Sequence, residues 1–225
     1  MITHAVLCPS APLLLPELAG ADRDAAAVRE ATETALRWLV DARPDLVAVV
    51  GVADRTASWP AHARADITRY GLAAPSPAAT APPTVGLAAL LLDRVGSQGR
   101  LALQTVRHDA VREQCLALAA DLAALADRVG LVVVADGSAR RTLKAPGYLD
   151  PRAEPYDAAV EAAVRAGQLD DLARLDPALA EELMAPGWAA LQVLAGAFAG
   201  VRPQSTVRYA EAPFGVGYLV ATLHR

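Results

Sequence analysis

Apolar residues in this chain fall into two repeating patterns, and their alternation predicts the architecture. Short continuous runs such as Leu46-Val47-Ala48-Val49-Val50 and Leu131-Val132-Val133-Val134-Ala135 are bounded by turn formers, as expected of strands buried on both faces. Between them lie three-four spacings. Ala25, Val28, Thr32, Ala35 and Leu39 form one stripe opposite Arg23, Arg29, Glu30 and Glu33, with Asp22 and Asp24 as candidate caps and Pro44 as a stop. Val111, Cys115, Leu118, Leu122, Leu125 and Val129 form a second stripe, which Gly130 is expected to close.

Further strands are predicted over 3–8, 67–72, 101–106, 206–209 and 217–223, and further helices over 87–95, 155–166 and 188–198. Asp176-Pro177 reads as a cap followed by a first helical residue, and Pro155 suits the same first position. The stretch 51–60 reads as a loop, 73–84 as an extended surface loop and 136–156 as a long polar loop. Strands alternating with helices of this length imply right-handed crossovers. The expectation is one α/β domain spanning 1–225, with a mostly parallel or mixed sheet covered by helices on both faces.

Composition narrows the function classes. With 225 residues and 54% hydrophobic but only 4% aromatic side chains, the core must be built from Ala, Val and Leu. Net charge is -4, the pI is about 5.6, and basic residues form no tract, which argues against nucleic acid as a partner. No apolar run is long enough to span a membrane. Cys8 and Cys115 are too few for a disulfide framework or a zinc site and suit a reduced, cytoplasmic setting.

Candidate chemistry follows from where parallel sheets bind ligands, beyond the carboxyl ends of their strands. Four loops meet that criterion: 9–16, stiffened by Pro9, Pro12 and Pro16, then 53–60, 107–109 and 136–150. Their polar members with a candidate binding role are Ser10, Asp54, Arg55, Asp136, Ser138, Arg140, Arg141 and Tyr148. The arginines suit a carboxylate or phosphate, because a guanidinium fork pairs with such groups bidentately. The same arginines could equally pair with neighbouring aspartates as a solvated network.

Four histidines, His4, His62, His108 and His224, stand in no H-x-x-x-H or H-E-x-x-H spacing, and no Cys pair supplements them. His62 and His108 lie on or near the loops above and could join Asp54 or Glu211 in a 2-His-1-carboxylate iron site. Ser10 lacks the G-x-S-x-G context of a nucleophile elbow, and no phosphate-cradling G-x-x-x-x-G-K-S/T or G-x-G-x-x-G occurs.

Three segments together resemble the class III extradiol ring-cleavage dioxygenase catalytic B subunits and their Memo-like relatives. Leu7-Cys8-Pro9-Ser10-Ala11-Pro12-Leu13-Leu14 is similar to that superfamily's opening strand and CPHPPLL loop. Val134-Ala135-Asp136-Gly137-Ser138-Ala139, with Ala145 to Arg152 and Tyr156-Asp157, is similar to its GD-x-SH, APYG-x-DPRG and FD block. Ala212-Pro213-Phe214-Gly215-Val216-Gly217-Tyr218 is similar to its closing glycine-rich strand.

The resemblance implies non-haem iron held by two histidines and a glutamate, with a further histidine for proton transfer. The histidine positions fall here on Ser10, near Ala53 to Arg55 (on Arg55), and on Ala139. A hydroxyl, a permanent cation and a methyl do not replace imidazoles as iron ligands. The leading expectation is therefore a dioxygenase-like protein with a degenerate iron site and no cofactor, binding a small anionic ligand or a partner protein in the crevice. Two alternatives stay open: a Fe(II) oxygenase recruiting His62, His108 and Glu211, and a metal-free hydrolase using Ser10 with a base in hydrogen-bond reach. A homodimer is implied by resemblance alone.

Overall fold

The computed structural model describes residues 1–73 and 77–225. In chain order it runs β1 (Ile2–Cys8), α1 (Pro16–Ala19), α2 (Arg23–Asp41), β2 (Leu46–Ala53), β3 (Ala57–Trp59) and α3 (Pro83–Arg94). Then follow β4 (Arg100–Arg107), α4 (Arg112–Ala123), β5 (Val129–Val134), α5 (Ala153–Ala166), α6 (Pro177–Glu182), α7 (Trp188–Ala197), β6 (Gln204–Glu211) and β7 (Tyr218–His224). The strands form one seven-stranded sheet in the order β3-β4-β2-β5-β1-β7-β6. Its centre, β4-β2-β5-β1, is parallel, while β3 and β7 run antiparallel to their inner neighbours. The expected single-domain α/β fold with a mixed, doubly covered sheet is present.

Side chains alternate across the central strands, so each strand feeds two cores. Leu46, Ala48 and Val50 of β2, with Leu131 and Val133 of β5, face α4, α5 and α7. Val47, Val49, Val132 and Val134 face α2 and α3 on the other side. The α2 stripe is buried as spaced, and Asp22 caps the helix by accepting from the Ala25 backbone N–H at 2.9 Å. Asp176 caps α6 in the same way, accepting from Ala178 N–H at 2.9 Å with Pro177 at the helix start.

Five local expectations are corrected. Residues 67–70 form a 3-10 turn capped by Asp66 rather than an edge strand. The loop 51–60 contains β3, whose Trp59 indole N–H donates to Thr105 Oγ1 at 3.0 Å. The stripe from Val111 to Val129 is not one helix: α4 stops at Ala123, Leu125 is exposed, and Val129 opens β5, its N–H donating to Met1 O. Gly130 sits inside β5, and Pro155 is the third residue of α5 rather than the first. Part of the loop expected over 73–84, residues 74–76, lies outside the described residues. Among the described residues no helix is long and apolar enough to cross a membrane.

Candidate functional site

The end of β5 is joined to the end of β1 by Ala135 N–H donating to Cys8 O at 2.9 Å. That register brings the proline-stiffened loop beside the first residues after β5. Asp136 there accepts from Ser10 twice: from its backbone N–H at 3.0 Å and from its hydroxyl in a short contact. Burial pushes the Asp136 carboxyl up, and the two Ser10 hydrogen bonds pull against that shift. Burial, reinforced by the Asp136 charge, also raises the neighbouring Cys8 thiol to about 12, which leaves it an inert core group.

The segment after Asp136 is folded around a second carboxylate, Asp157 of α5. Asp157 accepts from Ser138 N–H at 2.9 Å and pairs with Arg141 Nη1 at 2.9 Å. Burial raises its carboxyl, opposed by Ser138 and Arg141. Gly137 N–H donates to Gly217 O, and Gly217 N–H donates to Ser138 O, which ties the strand-end loop to the glycine-rich approach to β7. A side chain at either glycine would displace the Asp157 carboxylate: a Cβ on Gly217 would overlap Asp157 Oδ2, and one on Gly137 would lie 2.6 Å from Asp157 Oδ1 and 3.0 Å from Gly217 O. The Ser138 hydroxyl is buried and donates to Leu183 O at 2.7 Å, so it is a structural clamp.

Two cavities flank this segment, and Asp136 lines both. The larger, about 820 Å³, lies at the carboxyl ends of β4 and β5 under the starts of α4, α6 and α7. Its walls are mainly apolar, with Val111, Met184, Pro186, Trp188 and Val216 prominent. The Trp188 indole N–H is spent on Leu175 O at 3.0 Å, so its ring offers apolar surface. The smaller cavity, about 240 Å³, is lined by Arg141, Asp157, Tyr156 and Glu211. The Tyr156 hydroxyl is buried with no hydrogen-bond partner among the described residues, and burial raises its phenol.

The residues singled out from sequence are only partly gathered. Asp136 is central, and Ser10 holds it while lining neither cavity. Arg141 lines the smaller cavity and is engaged by Asp157; Arg140 and Tyr148 line neither, and the Tyr148 ring is exposed. Asp54 and Arg55 are exposed, with the Arg55 guanidinium 4.9 Å from the Trp59 ring centre. The base that a Ser10 nucleophile requires is within reach as Asp136, but the same carboxylate is also fastened by Ser10's backbone N–H.

The donor set does not fit ferrous iron. At the three positions where the resemblance places histidines, the Ser10 hydroxyl is committed to Asp136, Arg55 is a cation beside Trp59, and Ala139 has no donor. His108 lines the larger cavity, Glu211 the smaller, and exposed His62 neither. Among the described residues no three His, Cys, Asp or Glu side chains gather as a group able to hold a metal ion.

Arg112 belongs to the site although no sequence motif singles it out. It is the first residue of α4, it is half-buried, it lines the larger cavity, and its Nη1 donates to Gln192 Oε1 at 2.5 Å. Its signal was its place just beyond the strand-end loop 107–109, whose own Arg107 is instead paired with Asp109.

No family model and no curated protein matches this chain. Among solved structures it is similar to the uncharacterized protein JW3007 from Escherichia coli K12, with a TM-score of 0.62 at 15% identity. The match covers 99% of this chain and 100% of that one. At that identity the likeness shows a shared fold.

Proposed function

We propose that this chain is a dioxygenase-like α/β protein with a degenerate iron site, and that it binds a small molecule in the crevice of about 820 Å³ at the strand carboxyl ends. The observation that carries the reading is that crevice: a concave, mainly apolar space of ligand size, in the place where open parallel sheets bind ligands, with Asp136 presented into it. A small molecule is favoured over a protein partner because the surface is concave and pre-formed. Ser10 acts through Asp136, fixing the carboxylate at the crevice wall.

The test is ligand-observed NMR against a library of small apolar compounds, using the wild type and Ala139→Trp. Ala139 lines the crevice, so an indole there fills it. Binders are expected for the wild type and lost in the variant, with its melting temperature preserved. A folded variant that binds the same compounds overturns the proposed location. Anaerobic reconstitution with Fe²⁺ is expected to leave no stoichiometric metal after desalting; tightly bound iron at one per chain overturns the degenerate-site half of the proposal.

A further inference from the structure

We infer that the crevice takes a monocarboxylate with an apolar body, and that Arg112 is the residue that anchors the carboxylate. This rests on the crevice being the binding site. Of the arginines that line these two cavities and a third, each other than Arg112 already has an acid: Arg141 pairs with Asp157, and Arg174, on the third cavity, with Asp171. Arg112 has no carboxylate partner among the described residues. What holds it is a neutral amide, Gln192, which is fully buried and is itself fixed by Nε2 donating to Leu172 O at 2.7 Å. The buried amide positions the guanidinium without neutralising it, so a half-buried charge with unused donors faces an apolar space.

Such a charge is stabilised most by an anion that reaches it from the crevice. The N-terminal end of α4, which begins at Arg112, adds positive potential at the same point. The charge count selects a monoanion. Asp109, already paired with Arg107, and Asp136 and Glu181 also line the crevice, so a second negative charge on the ligand would meet carboxyl groups instead of a cation. The remaining walls, including Val111, Met184, Pro186 and Trp188, match an apolar body and offer little to a sugar or a nucleotide. Arg140 and Arg141, which stand out in the sequence, are thereby replaced in this role by one arginine at the start of α4.

Octanoate and octanamide share a chain and differ in charge, so they separate the anchor from the crevice. Isothermal titration calorimetry on the full chain is expected to show octanoate binding about tenfold more tightly than octanamide, the preference shrinking as salt is raised. In Arg112→Met the two should bind alike, at the octanamide level. Arg112→Lys keeps the charge without the fork and should retain part of the preference; it also serves if the Met variant does not fold. Equal wild-type affinities for the acid and the amide would overturn the anchor while leaving the crevice in place. Octanoate binding that survives Ala139→Trp unchanged, or no binding of either probe, would overturn the crevice reading and the anchor with it.

Discussion

Asp136 and Asp157 are two half-buried carboxylates on either side of one loop, both pushed up by desolvation, and their partners differ in kind. Asp157 is met by a guanidinium and a backbone N–H, and the chain is cut back to glycine at Gly137 and Gly217 to make room for it. Among the described residues Asp136 is met only by the neutral donors of Ser10, and it lines two cavities. A carboxylate compensated by a cation and packed against backbone acts as a lock. One held by neutral groups beside open space retains capacity for another partner. The contrast marks Asp136, rather than the more elaborately bonded Asp157, as the carboxylate with room for a further partner, as the proposed binding site requires.

The comparison is tested hardest at the lock. Gly217→Ala places a methyl against Asp157 Oδ2, an atom already tied down by Arg141, so relaxation must move the strand-end loop. A loss of about 3 kcal/mol is expected in urea denaturation. A loss below about 1 kcal/mol would show that Asp157 is free to move and is no lock. Arg141→Met should cost less, about 2 kcal/mol, because the two side chains are 21% and 12% exposed and water offsets part of the uncompensated charge. Adding Asp157→Asn should recover part of that loss, and purely additive effects would contradict the pairing.

How much of this was legible beforehand depended on whether a residue's partner is near in sequence. The β2 and β5 runs, the Asp22 cap and the Asp176-Pro177 start are local patterns, and each forms as spaced. Strand β3 is three residues long and exists because it pairs with β4, so no periodicity announces it. The helical spacing through Val129 misled because the sheet claims that residue for β5. At the site, Asp136 was readable as the polar residue leaving a buried strand. The arginines were not, because adjacent residues serve different ends: Arg141 is drawn to Asp157, while Arg140 lines neither cavity. Arg112 looks like an ordinary surface residue of an amphipathic helix until Gln192, 80 positions later, is seen to hold it.

Smaller effects are expected on the Asp136 side. Ser10→Ala removes one of two hydrogen bonds to Asp136 and leaves the backbone donor, so a loss of about 1 kcal/mol is expected in the same denaturation experiment. Removing the unpartnered Tyr156 hydroxyl by Tyr156→Phe should change stability by about 0.5 kcal/mol or less, or raise it slightly, because no hydrogen bond is lost among the described residues.

Asp136→Asn should leave stability nearest to that of the wild type and be read in its pH dependence. A carboxyl raised in the folded state holds its proton where the unfolded chain has released it. Its contribution is therefore complete below the unfolded value of about 3.9 and is lost as pH rises through the higher folded value. Asn keeps an acceptor for the Ser10 N–H but has no proton to lose, so the variant's stability should fall less steeply than the wild type's as pH rises from about 4 toward neutrality. Denaturation midpoints across that range measure the two slopes. Asp157→Asn shares the loss of a raised carboxyl but also strands Arg141, so it should destabilise at neutral pH as well as flatten the slope. If Asp136→Asn instead destabilises at neutral pH as strongly as Asp157→Asn, Asp136 has a structural role of the same kind, and the distinction between the two carboxylates fails.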